Sequence, residues 1–357
     1  MNLETLKSSE LHFVGIGGSG MSGLARIALA MGIKVSGSDL KDSPTIKELS
    51  NLGVKTFIGH KPENLNRDCV LVVSSAIESD NVELIRAREL SLPILTRAEA
   101  LAIFMEGKFS IAIAGTHGKT TTTSMLTVAF QSLGLDPSFA IGGSIARGGT
   151  NAHFGSGNYF VAEADESDGS FLAYKPHGAV VTNIELDHVD NFPNIEAILD
   201  LFENFVASIK SGGFLVICID GENQRKLLDH VKRDDLTIIS YGQSNADLTY
   251  SHLYLKPTGA MARIVHGGKI LGELETSVPG EHNLLNALAV IGVGIATNQP
   301  VSELMNGIKN FTGARRRFEI KGAINGITVV DDYGHHPTEI EVRSEEHTSE
   351  LQSRGLI

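Results

Sequence analysis

Gly115-Thr116-His117-Gly118-Lys119-Thr120-Thr121 joins a strand-like run, SIAIA, to a helix-like run, TSMLTVAFQSLG. Backbone amides of a glycine-rich turn in that setting wrap phosphate oxygens. A lysine beside them neutralises the β and γ charges of a nucleotide, and a hydroxyl holds Mg²⁺. Lys119 and Thr120 are the residues placed for those two roles. The glycine spacing is two residues shorter than the usual G-x-x-x-x-G-K-[ST] pattern, but the G-K-T end is intact.

A second glycine run, Gly15-Ile16-Gly17-Gly18-Ser19-Gly20, follows the apolar run LHFV and opens a helix through Met21. Small residues there let a phosphate approach amides at a helix N-terminus. Asp39 ends the next strand, where a ribose-binding acid sits in dinucleotide enzymes. The bland alternative is a tight strand–helix packing turn. Glu163-Ala164-Asp165-Glu166-Ser167-Asp168 caps the strand-like YFVA and puts four carboxylates in six residues. Like charges this close repel, so a cation is expected beside them. Asn183 to Asp190 lies just beyond GAVVT and contains His188, a candidate second metal ligand, although a lone histidine is usually structural.

Weaker signals come later in the chain. Asn286 follows Gly280-Glu281-His282-Asn283, and an asparagine amide can read an adenine edge. Arg315-Arg316-Arg317 can stabilise a transferring phosphoryl group, and Asp331-Asp332 can hold ribose hydroxyls.

These motifs need parallel sheets to present them. Strand-like and helix-like segments alternate from LHFVGIG through SGLARIALAMG, KVSGSD, 44–52, CVLVVSSA and 81–90. That rhythm predicts an α/β fold with a helix-covered parallel sheet. A second α/β unit starts at KFSIAIAG and continues through NYFVAEAD, GAVVTNIE, GFLVICID and LTIISYG, with helices near 196–209 and 221–231. Residues 247–277 alternate apolar and polar types around the turn signals PTG and HGGK, which predicts antiparallel strands before a helix over 282–297. Domain boundaries are expected near residues 105 and 313.

The bulk properties narrow the classes of function. The 357 residues carry 42 acidic against 30 basic side chains, a net charge of -12, with no basic stripe for a nucleic acid. Cys69 and Cys218 sit in apolar runs and read as buried reduced thiols. The N-terminus lacks the basic start and apolar core of a signal peptide. The apolar stretch Leu284 to Ala296 is too short to span a bilayer. The expected location is the cytoplasm, with no membrane partner.

Taken in order, GIGGSGMSGLA, AGTHGKTTTT, EADESDGSF, NIELDHVD, GEHNLLNA, GARRRFE and DDYGHHPTEI resemble the Mur ligase family over residues 10 to 342. The resemblance implies a Rossmann-like UDP-sugar domain over 1–105, a central P-loop-type ATPase domain over 106–313, and the start of a third, Rossmann-like amino-acid domain over 314–342. It implies ATP-dependent joining of L-alanine to the carboxylate of UDP-N-acetylmuramate through an acyl phosphate, with ATP and Mg²⁺ as cofactors. ATP would be held by Gly115, Thr116, His117, Gly118, Lys119, Thr120, Thr121, Asn286, Arg317 and Asp332. Mg²⁺ would be held by Thr120, Glu163 and His188, and Lys119, Glu163 and His188 would serve catalysis. The UDP-sugar would lie on Gly15, Gly17, Gly18, Ser19, Gly20, Met21, Asp39, Ser74 and Ser75. Glu163 and His188 are expected close together near Thr120.

Three alternatives stay open here, one of them a non-catalytic UDP-sugar-binding protein. A nicotinamide-dependent oxidoreductase fits Gly15 to Gly20 and Asp39 but leaves Gly115 to Thr121 without a role. A recycling ligase of the same family, which attaches a tripeptide, shares several motifs. After Val342 the family pattern stops. RSEEHTSELQS resembles the translation of a sequencing adapter, so residues 343–357 are expected to be a non-native tail and the chain as given to lack ligase activity.

Overall fold

The computed structural model describes residues 1–145, 149–187, 191–317, 319–324 and 327–334. After a short helix α1 (Leu3–Lys7), the chain alternates β1 (Glu10–Val14), α2 (Ser19–Ala30), β2 (Lys34–Asp39), α3 (Pro44–Asn51), β3 (Lys55–Ile58), β4 (Cys69–Val73), α4 (Val82–Glu89), β5 (Ile94–Thr96) and α5 (Arg97–Phe104). The five strands pair in parallel in the order β3-β2-β1-β4-β5. The order reverses at β1, so a crevice opens beyond its carboxyl end, where the chain runs into Gly15 to Gly20.

Local chemistry explains the helix starts. Ser43 caps α3 by accepting from the Ile46 amide, with Pro44 in the first turn. Thr96 and Glu99 form a reciprocal capping box on α5, which holds Arg97 at the start of that helix.

The second unit runs β6 (Phe109–Ala114), α6 (Lys119–Ser132), β7 (Ser138–Ala140), β8 (Ala152–His153), β9 (Tyr159–Glu163), β10 (Gly178–Val181), α7 (Ile195–Ala207), β11 (Phe214–Cys218), α8 (Glu222–His230), β12 (Thr237–Tyr241), β13 (Leu248–Lys256), β14 (Gly259–His266), β15 (Lys269–Thr276), α9 (Glu281–Ala296) and α10 (Val301–Lys309). Its strands, among the described residues, follow the order β15-β14-β13-β12-β11-β10-β6-β9-β7-β8. The strands β9, β6, β10, β11 and β12 are parallel, and β13 to β15 form the antiparallel meander that the alternating pattern over 247–277 predicts. β6 lies between β9 and β10, so the loops after all three converge on one edge. A hairpin, β16 (Glu319–Ile324) and β17 (Ile327–Asp331), makes a sheet of its own.

One apolar cluster crosses from the first sheet to the second and includes Leu24, Leu101 and Phe104 together with Phe160, Phe171 and Phe202. The Asn151 side chain donates to the Ser19 carbonyl at 2.5 Å, joining the second unit to the first turn of α2. Both cysteines are buried, as their apolar context predicts, and burial pushes the Cys69 thiol up to about 11 and the Cys218 thiol up to about 12. Among the described residues no helix is long and apolar enough to cross a membrane. The segment 343–357 lies outside the described residues.

Candidate functional site

The loop from β6 to α6 is shaped by its neighbour after β10. The His117 amide donates to the Asn183 side-chain oxygen at 2.7 Å, and the Asn183 amide group donates back to the His117 carbonyl at 3.0 Å. The Thr182 hydroxyl donates to the same carbonyl at 2.6 Å, and Thr116 exchanges hydrogen bonds with the backbone of Glu185. Five hydrogen bonds thereby fix the Thr116 hydroxyl and the His117 amide and carbonyl, which pre-organises the loop as a cradle. Gly118 must be glycine on two counts: its φ is +81°, and a Cβ there would sit 2.7 Å from the Asn286 side-chain oxygen.

Lys119, the first residue of α6, bends back over the loop. Its Nζ donates to the carbonyls of Gly115 at 2.6 Å and Thr116 at 3.2 Å and to Glu166 Oε1 at 2.8 Å. It is the cation that the acidic run after β9 demands. Burial pushes the Glu166 carboxyl up, and the Lys119 ammonium pulls against that shift. Asp165 is opposed by burial too, but hydrogen bonds from Ser167 and the charges of Lys119 and Arg97 hold its carboxyl below the usual range.

Thr120 and Glu163 meet as the sequence predicts. The Thr120 hydroxyl donates to Glu163 Oε1 at 2.9 Å, while Glu163 Oε2 accepts from the Gly142 amide at 2.7 Å. A hydroxyl and a carboxylate side by side at a phosphate loop are hard oxygen donors of the kind Mg²⁺ takes. Among the described residues no three His, Cys, Asp or Glu side chains are grouped to hold a metal unaided. Mg²⁺ binds through one or two protein oxygens, nucleotide phosphates and water, and Thr120 and Glu163 would supply such oxygens. His188, the expected further ligand, lies outside the described residues.

Asn286 on α9 accepts from the Thr122 hydroxyl at 3.1 Å and donates to Asn283 at 3.2 Å, so it stands directly behind the loop. The Arg315 amide donates to the Ser144 carbonyl at 2.8 Å, which brings the 314–317 turn beside the segment contacting Glu163. Arg316 and Arg317 stack over the Tyr333 ring at 4.7 and 5.6 Å, with Asp332 adjacent in sequence.

In the first unit, the Gly15 and Ile16 amides donate to the Ser38 carbonyl at 2.8 and 3.0 Å. The Gly17 amide donates to Asp39 at 2.9 Å, so Asp39 shapes the glycine turn itself. Ser74 and Ser75 follow β4, next to β1 in the sheet, and Ile77 just beyond them packs against Gly15. Gly18 and Ser19 form the exposed lip of this crevice, Gly20 is half-buried, and Met21 is buried in the core beneath it at 3% exposure. Sequence reasoning missed the holding roles of Thr182, Asn183 and Glu185, the partnership of Glu166 with Lys119, and Arg97. The NIELD motif was the available signal for the first of these.

The arrangement puts a phosphate-loop-like turn at the edge of one α/β sheet and a glycine-turn crevice at the edge of a second. Residues 10–109 match the Mur ligase family catalytic domain and residues 113–294 the Mur ligase middle domain. The chain is 47% identical over 330 residues to the UDP-N-acetylmuramate–L-alanine ligase of Acidothermus cellulolyticus, covering 92% of this chain and 69% of that protein. It is 46% identical over 354 residues to the enzyme of that name from Geobacter sulfurreducens, covering 98% and 76%. Its fold superposes on the UDP-N-acetylmuramate-alanine ligase of Thermotoga maritima with a TM-score of 0.83 at 30% identity, covering 96% of this chain and 78% of that one. The chain belongs to the Mur ligase family.

Proposed function

We propose that the protein is an ATP-dependent ligase that forms an amide between L-alanine and the carboxylate of UDP-N-acetylmuramate, a step in making the peptidoglycan precursor in the cytoplasm. The observation that carries this reading is the Lys119, Thr120 and Glu163 constellation, where the start of α6 meets the end of β9, in a chain 47% identical to a ligase of that name. A carboxylate is a poor electrophile, and phosphorylation by ATP gives it a leaving group as an acyl phosphate. The alanine amine then attacks the acyl carbon and phosphate departs. Two anions must be brought together for the first step, so cations are required. Lys119 is positioned to neutralise the β and γ phosphates. Thr120 and Glu163, with His188 proposed from the sequence, would hold Mg²⁺, which supplies further charge neutralisation.

In this reading residues 1–105 take the UDP-sugar, with the diphosphate at Gly15 to Gly20 and Ser74 and Ser75 beside it. Residues 106–313 take ATP, with Asn286 towards the adenine and Arg317 and Asp332 completing the nucleotide site from beyond residue 313. An NAD-dependent oxidoreductase would leave the Lys119 site idle.

Calorimetric titration separates the two. The chain should bind Mg·ATP and UDP-N-acetylmuramate at independent sites, and preferential binding of NAD would overturn the assignment. Phosphate release from ATP, measured in a version extended to the length of the relatives, should require UDP-N-acetylmuramate and L-alanine together.

A further inference from the structure

Arg97 opens α5 at the carboxyl end of β5, on the crevice side of the first sheet. Its side chain lies along Gly20, so closely that a Cβ built there would be 3.0 Å from Arg97 Cδ, 3.6 Å from Nε and 3.8 Å from Nη1. The opposite flank of the same turn is tied down by Asn151, which donates to the Ser19 carbonyl. Arg97 is half-buried. Among the described residues its guanidinium makes no hydrogen bond or ion pair, although other cations near the seam, such as Lys119, are engaged. Its charge nevertheless reaches the second unit, where it acts on the Asp165 carboxylate and on the fully buried Tyr174 hydroxyl.

We propose that Arg97 is the side-chain cation that holds the diphosphate of the UDP-sugar against the Gly15–Gly20 turn. The inference rests on the reading of that turn as the UDP-sugar site. A guanidinium offers a planar fork of donors that matches phosphate oxygens in pairs and stays charged at any working pH. The need for such a group is electrostatic. The chain carries a net charge of -12, and Glu163, Asp165 and Asp168 act with Arg97 on the one buried Tyr174 hydroxyl, so the cation stands among carboxylates. A dianionic group arriving there meets repulsion unless a fixed cation stands at the turn. Adjacency to Gly20 favours the diphosphate over the muramoyl carboxylate, because the carboxylate must extend away towards Lys119.

Calorimetric titration of the chain with UDP, UDP-N-acetylglucosamine and UDP-N-acetylmuramate tests this, since only the last bears the carboxylate. Arg97→Ala should weaken all three by the same factor, about 10- to 100-fold for the loss of a paired charge-assisted contact. Mg·ATP affinity and melting temperature should stay unchanged. Arg97→Lys should recover part of the loss, because it restores the charge without the fork. Arg97→Gln keeps the bulk and replaces Ala in the test if the Ala variant unfolds. Unchanged UDP affinity overturns the proposal. A loss confined to UDP-N-acetylmuramate overturns it too, assigning Arg97 to the carboxylate instead. Equal loss of ATP binding with a lower melting temperature would show a merely structural role. If the unaltered chain binds none of the three UDP compounds, the reading of the turn itself fails, and that outcome is separate from any effect of Arg97.

Discussion

The Thr120 hydroxyl donates to Glu163 Oε1 across 2.9 Å, linking the first turn of α6 to the last residue of β9. The bond exists because β6 and β9 are parallel neighbours, so a loop leaving one ends beside a carboxylate leaving the other. Glu163→Gln removes the anionic donor and keeps the shape. It should weaken Mg·ATP binding by about 10-fold or more while leaving Mg²⁺-free ATP binding unchanged. Calorimetry with and without chelator reads the difference, and equal losses in both conditions would count against a metal role.

Lys119→Ala removes the ammonium that lies over the loop. In a version extended to the length of the relatives, turnover should fall by at least ~100-fold, since a cation facing the developing phosphoryl charge is lost. Near-normal phosphate release in that variant would remove the phosphate-loop assignment.

Gly118→Ala places a methyl group 2.7 Å from the Asn286 oxygen at a φ of +81°. The loop must shift to admit it, so ATP binding should be lost while UDP-N-acetylmuramate binding persists. Titrating the one variant with both ligands supplies its own control for folding.

Glu83 is completely buried beneath the first sheet, with Ser38 and Asn64 donating to it and His12 at 3.5 Å. Burial raises its carboxyl, but hydrogen bonds from His12, Ser38 and Asn64 outweigh that and hold it at about 2. A depressed acid contributes stability that is present above its unfolded value of 4.5 and is lost as pH falls towards 2. Denaturant melts between pH 6 and pH 3 should therefore show a decline that Glu83→Gln makes shallower, though from a lower starting stability. Ser38 also holds the Gly15 and Ile16 amides, so the same decline should appear in UDP-sugar affinity.

Tyr174 is fully buried, and among the described residues its hydroxyl has no hydrogen-bond partner. Tyr174→Phe removes an uncompensated polar atom and should stabilise the chain by about 1 kcal/mol. A thermal melt decides this, and a lower melting temperature would show that the hydroxyl is satisfied in solution.

The βαβ rhythm and the apolar strands β1, β6, β9, β10 and β11 are legible in the sequence because apolar runs between turn signals are local. β3, β5 and β7 are three or four residues long and none is a continuous apolar run, and only pairing with neighbouring strands stabilises them. The site divides in the same way. Gly115 to Thr121 can be read directly, because a strand–turn–helix junction sets its own backbone geometry within a few residues.

What the amino-acid order by itself determined, then, is the chemistry at each turn: two glycine cradles, an acidic strand end, and a lysine and threonine at a helix start. Only the tertiary structure decided which of those turns face one another. Lys119 finds Glu166 at a separation of 47 residues and His117 finds Asn183 at 66, because β6 lies between β9 and β10. Strand order is settled by burial over the whole sheet, a sum that no local stretch of sequence contains. Arg97 belongs to the same category. Its spacing is unremarkable on an eight-residue helix, and its place beside Gly20 arises only when β5 and β1 are set in one sheet with α2 and α5 above them.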